Sequence, residues 1–257
     1  MQDSESAGAY SSYSLHMTRR FTVGIVKVAK PDSWPTSPEE AVALQDLLRT
    51  RVIAHNPRPP EFRTIAGLDS AYDDSGNVAA AIVVLDATTL ETIEVATARG
   101  TTDFPYVPGL LAFRELPTTL AALENLTTTP DLFICDSQGL AHPRRFGFAC
   151  HLGLLTGIPT LGVAKNAWGE FDEPGHERGS SSVITIDGDP VGRALRTRTN
   201  VKPVFVSVGH LIDLDTACTQ VLALTPEYRQ PETTRRADHL CRQLLRDIAV
   251  GGAARQD

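Results

Sequence analysis

Residues 64–100, TIAGLDSAYDDSGNVAAAIVVLDATTLETIEVATARG, contain three apolar, β-like runs: TIAGLDSAY, NVAAAIVVLD and TIEVATARG. Short turn-forming links (Asp-Asp-Ser-Gly-Asn and Asp-Ala-Thr-Thr) join them, which predicts an antiparallel meander. Downstream the period changes. Residues 109–126 read as a helix, DLFIC is a continuous apolar strand ending at Asp136, 144–155 read as a helix, and PTLGVAK is a strand ending at Lys165. Strands alternating with helices in this way imply parallel pairing with right-handed crossovers. SSVITIDGDPVGRAL then predicts a hairpin turning at Asp187-Gly188, KPVFVSVGH a strand ending at His210, and two helical patterns close the chain near 213–224 and 232–249. Upstream, Ser37-Pro38-Glu39-Glu40 reads as a capping box opening a helix through Ala41, Leu44, Leu47 and Leu48. A meander passing into strand–helix–strand units, with helices on the flanks, is a ribonuclease H-like α/β architecture: a mixed central sheet flanked by helices.

No composition shift divides the 257 residues, so a single domain over 19–257 is expected. Residues 1–18, Ser-rich and without periodicity, read as a disordered tail, and because Met1 and Met17 are the only methionines, Met17 is an alternative start. The sequence shows neither an apolar run of roughly 18 residues nor a secretory leader, so the expected location is cytoplasmic, away from membranes. Cys135, Cys150, Cys218 and Cys241 are far apart and in apolar surroundings, which predicts buried free thiols. A net charge of −7 argues against general polyanion binding, which needs clustered cations. It leaves room for a local basic groove. Arg193, Arg196, Arg198 and Lys202 form either such a groove or a solvated, charged edge strand.

Asp69 interrupts an apolar run and Asp136 stands at the carboxyl end of another. Sites in open α/β sheets lie beyond the carboxyl ends of the parallel strands. Two carboxylates meeting there would repel unless a hard divalent cation joined them. Lys165 ends a strand on the same expected edge, where it is either a solvated cap or a charge partner for phosphate. His210 similarly ends a strand and is either a half-buried structural histidine or part of the site. Glu115 falls inside the 109–126 helix, as a solvated charge or a third acid. The loop TDFPYVPGL, stiffened by two prolines, holds Tyr106 either outward or packed beneath itself. An outward aromatic there could fill the gap left by an extruded base. Arg144 and Arg145, at an expected helix start, could grip phosphate.

Taken together, GLDSAY, FPYVPGLLAFRE, DSQGLAHPRRFGFACHLGL, the PTLGVAK strand end, VSVGH and PETTRRAD resemble the endonuclease V (deoxyinosine 3′ endonuclease) family, over about residues 37–249. The resemblance implies a ribonuclease H-like fold and a Mg²⁺-dependent nuclease, with Mn²⁺ as a substitute ion. Its expected substrate is DNA containing deoxyinosine, and inosine-containing RNA is the alternative. The expected cut is at the second phosphodiester 3′ of the lesion, made by a monomer as a first step of DNA repair. It further implies Asp69 and Asp136 as metal ligands, and Glu115, Lys165 and His210 as catalytic. Tyr106 would be a wedge, with Pro108, Gly109, Gly139, His142 and Arg144 around the base. Rival readings are a nuclease for branched DNA and a module that binds without cutting. One departure stands out: the family usually has Asp-Gly-x-Gly where this chain has Asp136-Ser137-Gln138-Gly139, which puts a side chain against the expected pocket.

Overall fold

The computed structural model describes residues 26–29, 31 and 33–253. The expected tail at 1–18 lies outside the described residues, as does the start of the FTVGIVKVA run. Among the described residues nine strands form one sheet: β1 (Thr64–Tyr72), β2 (Asn77–Asp86), β3 (Thr92–Thr101), β4 (Leu132–Cys135), β5 (Thr160–Ala164), β6 (Glu170–Phe171), β7 (Ser181–Ile186), β8 (Asp189–Leu195) and β9 (Val204–His210). Their order is β3-β2-β1-β4-β5-β9-β8-β7-β6. The meander β1–β2–β3 is antiparallel, β4 and β5 run parallel to β1, and β9 runs antiparallel to β5. Helices α1 (Pro38–Leu48), α2 (Leu111–Leu123), α3 (Phe148–Thr156), α4 (Leu214–Ala223) and α5 (Glu232–Ala253) flank the sheet. The architecture is ribonuclease H-like.

Strand β2 reads as an unbroken apolar run because both its faces are covered. Ala80, Ile82 and Val84 join the cluster with Leu116, Leu120 and Leu123 of α2, while Ala79, Ala81, Val83 and Leu85 pack on Ala237 and Cys241 of α5. Ser37 caps α1 by accepting the Glu40 amide (3.2 Å), but the returning arm of the box goes one residue further back, from the Thr36 amide to Glu40 (2.8 Å). Helix α3 begins at Phe148, later than the apolar periodicity predicts. Arg145 is held at φ 55°, so the chain turns there instead of winding into a helix. All four cysteines are buried and free. No helix among the described residues is long and apolar enough to cross a membrane.

Helix α5 approaches β1 unusually closely. At Gly67 an added Cβ would sit 2.3 Å from the Thr233 backbone carbon, so only glycine lets the first turn of α5 lie on the strand. From that contact, two residues along a strand (roughly 3.3 Å each) and five along a helix (about 1.5 Å each) both advance about 7 Å. Asp238 is thereby brought level with Asp69.

Candidate active site

Carboxylate oxygens of Asp69, Asp136 and Asp238 lie within 4.8 Å of one another. Strand pairing accounts for the first two: Leu68 is in register with Cys135, so the residue after each projects at the same edge. Burial and the neighbouring Asp136 charge push the Asp69 carboxyl up to about 8. Burial also raises Asp136, opposed by Lys165, whose Nζ donates to Asp136 Oδ2 at 2.6 Å. Burial disfavours the Lys165 ammonium, but its bond to Asp136 outweighs this and raises its pKa. Arg242 pairs with Asp238 at 2.9 Å. Glu115 lies buried on α2, held well above the usual carboxylate range by burial and then by Asp69 and Asp136. Asp69, Asp136, Asp238 and Glu115 thus share this region with Lys165 and Arg242, and the Arg229 charge also acts on Asp136. A donor set made only of carboxylate oxygens, costly to crowd without a counter-charge, fits a hard divalent ion.

Beside this centre is a cavity of about 340 Å³, near the lower end of small-ligand sites (roughly 300–1,000 Å³), lined by Glu115, Tyr106, Pro108, Gly109, Ser137, His142 and Trp168 among others. Tyr106 is 67% exposed, so the stiff loop holds it outward. The Gly109 carbonyl accepts three donors: Gln45 Nε2 (3.0 Å), His142 Nε2 (2.9 Å) and Arg144 Nη2 (2.9 Å). His142 Nδ1 in turn accepts the Arg144 amide (3.2 Å). Burial, followed by the charge of Arg144, lowers the His142 pKa to about 4, so the ring is neutral.

The remaining expected residues lie elsewhere. His210 ends β9, which is antiparallel, and it pairs with Thr160 at the start of β5, whereas Lys165 follows the end of that strand. Five residues, about 16 Å, therefore separate it from the carboxylate edge. There it is buried, its Nδ1 accepts the Ile53 amide (3.1 Å), and burial lowers its pKa to about 4. That geometry does not support a catalytic His210. Arg144 is spent on Gly109 and on Gln45 Oε1 (2.5 Å), and Arg145 on the Ile186 carbonyl (2.6 Å); neither opens a helix toward phosphate. Arg196 is buried against Glu173 (2.6 Å) and Arg193 pairs with Asp215 (2.7 Å). Strand β8 lies between β9 and β7, so it is not an edge strand either. Gly139 stands behind the cavity, against β9, while Gln138 and Gly147 line it.

Sequence reasoning missed Asp238, Gln45 and Trp168. The segment PETTRRAD ends on Asp238, and the apolar spacing of Ala237 and Cys241 marks the buried side of α5 next to it. That spacing is the one local signal for the third carboxylate.

A ribonuclease H-like sheet with an acidic centre at the carboxyl edge of its parallel strands, opening onto a small cavity, defines a protein of the nuclease-like class. The family described as Endonuclease V matches residues 46–239, and the chain belongs to that family. It is 69% identical over 223 residues to an Endonuclease V of Nocardia farcinica, covering 86% of this chain and 98% of that one. Among solved structures it resembles the Endonuclease V of Streptomyces avermitilis (58% identity, TM-score 0.81, 85% of this chain and 97% of that one). It also resembles the Ciona intestinalis Endonuclease V, solved with a 23-mer DNA containing an inosine followed by a ribo-adenosine (27% identity, TM-score 0.73, 82% of this chain and 97% of that one).

Proposed function

We propose that this chain is a metal-dependent endonuclease that recognises deoxyinosine in DNA and hydrolyses the second phosphodiester 3′ of the lesion, opening a repair pathway, and that it acts as a monomer. The observation that carries this reading is the set of three carboxylates within 4.8 Å of one another, beside a cavity the size of a small ligand. Asp69, Asp136 and Asp238 would hold Mg²⁺, or Mn²⁺ in its place. Bound there, the ion would supply Lewis acidity and a more acidic water. Lys165, partly exposed beside Asp136, keeps a positive charge where a phosphate oxygen would approach. Glu115 stands on the cavity wall, where burial and the neighbouring acids favour its protonated form and a bound cation would offset them. Tyr106, on its stiff loop, would fill the stack as the base leaves it.

The test is cleavage of labelled oligonucleotides bearing inosine or adenosine, in Mg²⁺ and in chelator, with the ends of the product mapped. Inosine-dependent cutting that chelator abolishes is expected; binding without cutting would indicate a silent module. RNA and branched-DNA arms belong in the same assay. The RNA arm has particular point, because the Ciona intestinalis relative was solved with a ribonucleotide next to the inosine.

Two variants probe the placement of single side chains. Tyr106→Ala should erode the preference for inosine while leaving Mg²⁺ binding, followed calorimetrically, unchanged; an intact preference would remove the wedge role. His210→Leu leaves the Ile53 amide without its acceptor, so stability should fall by about 1–3 kcal/mol in denaturant melts. The folded fraction should cut at the unmodified rate, and loss of cutting at full stability would reinstate His210 in catalysis.

A further inference from the structure

Ser137 lines both the 340 Å³ cavity and the cleft of the carboxylates, at the turn after Asp136. The residue is only 8% exposed, and its Oγ is enclosed with no hydrogen-bond partner among the described residues. Three other polar groups of the same turn are bonded: the Ser137 amide donates to the Cys135 carbonyl (2.8 Å), the Gly139 amide to Ser207 Oγ (2.8 Å), and the Gln138 side chain to the Asn166 carbonyl (3.0 Å). A buried hydroxyl without a partner costs stability, and proteins leave few of them. Alanine at this position would avoid that cost with almost the same shape.

From this we infer that the Ser137 hydroxyl is a base-contacting residue, whose missing partner arrives with the base that enters the cavity. The inference rests on the proposed function, in which that cavity receives an extruded base. A hydroxyl both donates and accepts and turns about a single bond, so it can meet a ring oxo group, a ring N–H or an exocyclic amine. A fixed backbone amide can only donate. Ser137 therefore adds hold on the base that enters, whichever of these groups the base presents.

The experiment compares unmodified protein with Ser137→Ala and Ser137→Gly in single-turnover cleavage of three oligonucleotides, carrying inosine, xanthosine or a tetrahydrofuran abasic analogue. Both variants should lose about 2- to 13-fold in kcat/KM on inosine, the range of one ordinary hydrogen bond. They should lose nothing on the abasic analogue, which offers no base to touch. Ser137→Ala should melt at the same temperature as the unmodified chain or higher, because it removes an unsatisfied group. An equal loss on all three substrates, no loss on inosine, or a lowered melting temperature with unchanged base dependence would each overturn the inference. If the unmodified chain fails to cut inosine at all, the proposed function falls first, and the two failures are thus told apart.

Discussion

Asp69→Asn is expected to lower cleavage by about a hundredfold or more and, in the same molecule, to raise the melting temperature of the metal-free protein. The first effect comes from the site: even outer partners of metal ligands cost about 10- to 100-fold when removed, and Asp69 is proposed as a direct ligand. The second comes first from burial, which disfavours the Asp69 charge, and then from crowding. Unit charges within 4.8 Å of each other repel by roughly 3 kcal/mol or more at an effective dielectric of about 20. The sign with pH is fixed by the raised carboxyl. In the unfolded chain Asp69 would release its proton near its ordinary pKa of about 3.9, whereas in the fold it keeps it up to about 8. Between those values the folded state binds the extra proton, so stability is full at low pH and is lost as pH rises through about 8. The loss is on the order of a few kcal/mol. Calorimetric melts in chelator from about pH 5 to about pH 9 should show this slope in the unmodified chain and a flatter one in Asp69→Asn. Added Mg²⁺ should restore stability mainly at the alkaline end. Undiminished cleavage in the variant would sink the metal assignment, and an unchanged slope would mean that Asp69 is not both buried and crowded in solution.

Gly139→Ala should be the most damaging single methyl group in the site region. An added Cβ would stand 2.0 Å from the Val208 carbonyl oxygen and 2.6 Å from its carbon, both backbone atoms that cannot swing aside. The same carbonyl accepts the Leu140 amide (2.7 Å), so moving it breaks a bond that ties the Asp136 turn to β9. Overpacking of this kind costs typically about 1–3 kcal/mol, and an unmade buried bond adds to it, giving about 3 kcal/mol or more. Against a usual total of about 5–15 kcal/mol this is a large share. Denaturant melts measure it directly. Stability within experimental error of the unmodified chain would show that the turn is not held against β9. The glycine is thus required by the strand behind the turn, whereas the family resemblance places it around the base.

Several site residues are legible in the sequence. Asp69 and Asp136 interrupt or end apolar runs, Lys165 ends another, and the meander and the parallel strands are readable from turns and from a change of period. A carboxylate that closes a buried strand is a local signal, because burying a charge is expensive wherever it occurs. Asp238 carries no such signal. It sits among charged residues on an amphipathic helix, and only the close fit of α5 on Gly67 carries it to the cluster. Arg144 and Arg145 look like free cations in the sequence because their partners, Gly109, Gln45 and Ile186, are distant along the chain.

The difference between what can be read and what cannot is one of range. Hydrophobic period and turn chemistry act over a few residues, so the sequence by itself determined most of the strands and helices, though not the two-residue β6 or the turn before α3, and that one acid interrupts an apolar strand while another follows the end of one. The direction in which a late strand enters the sheet depends on the whole path of the chain. Strand β9 arrives antiparallel after the β7–β8 hairpin, and that sends His210 to the far edge while Lys165 stays with the carboxylates. Tertiary structure alone decided the membership of the acidic centre, with Asp238 in and His210 out, because Coulomb repulsion and hydrogen bonding act through distances that sheet order sets.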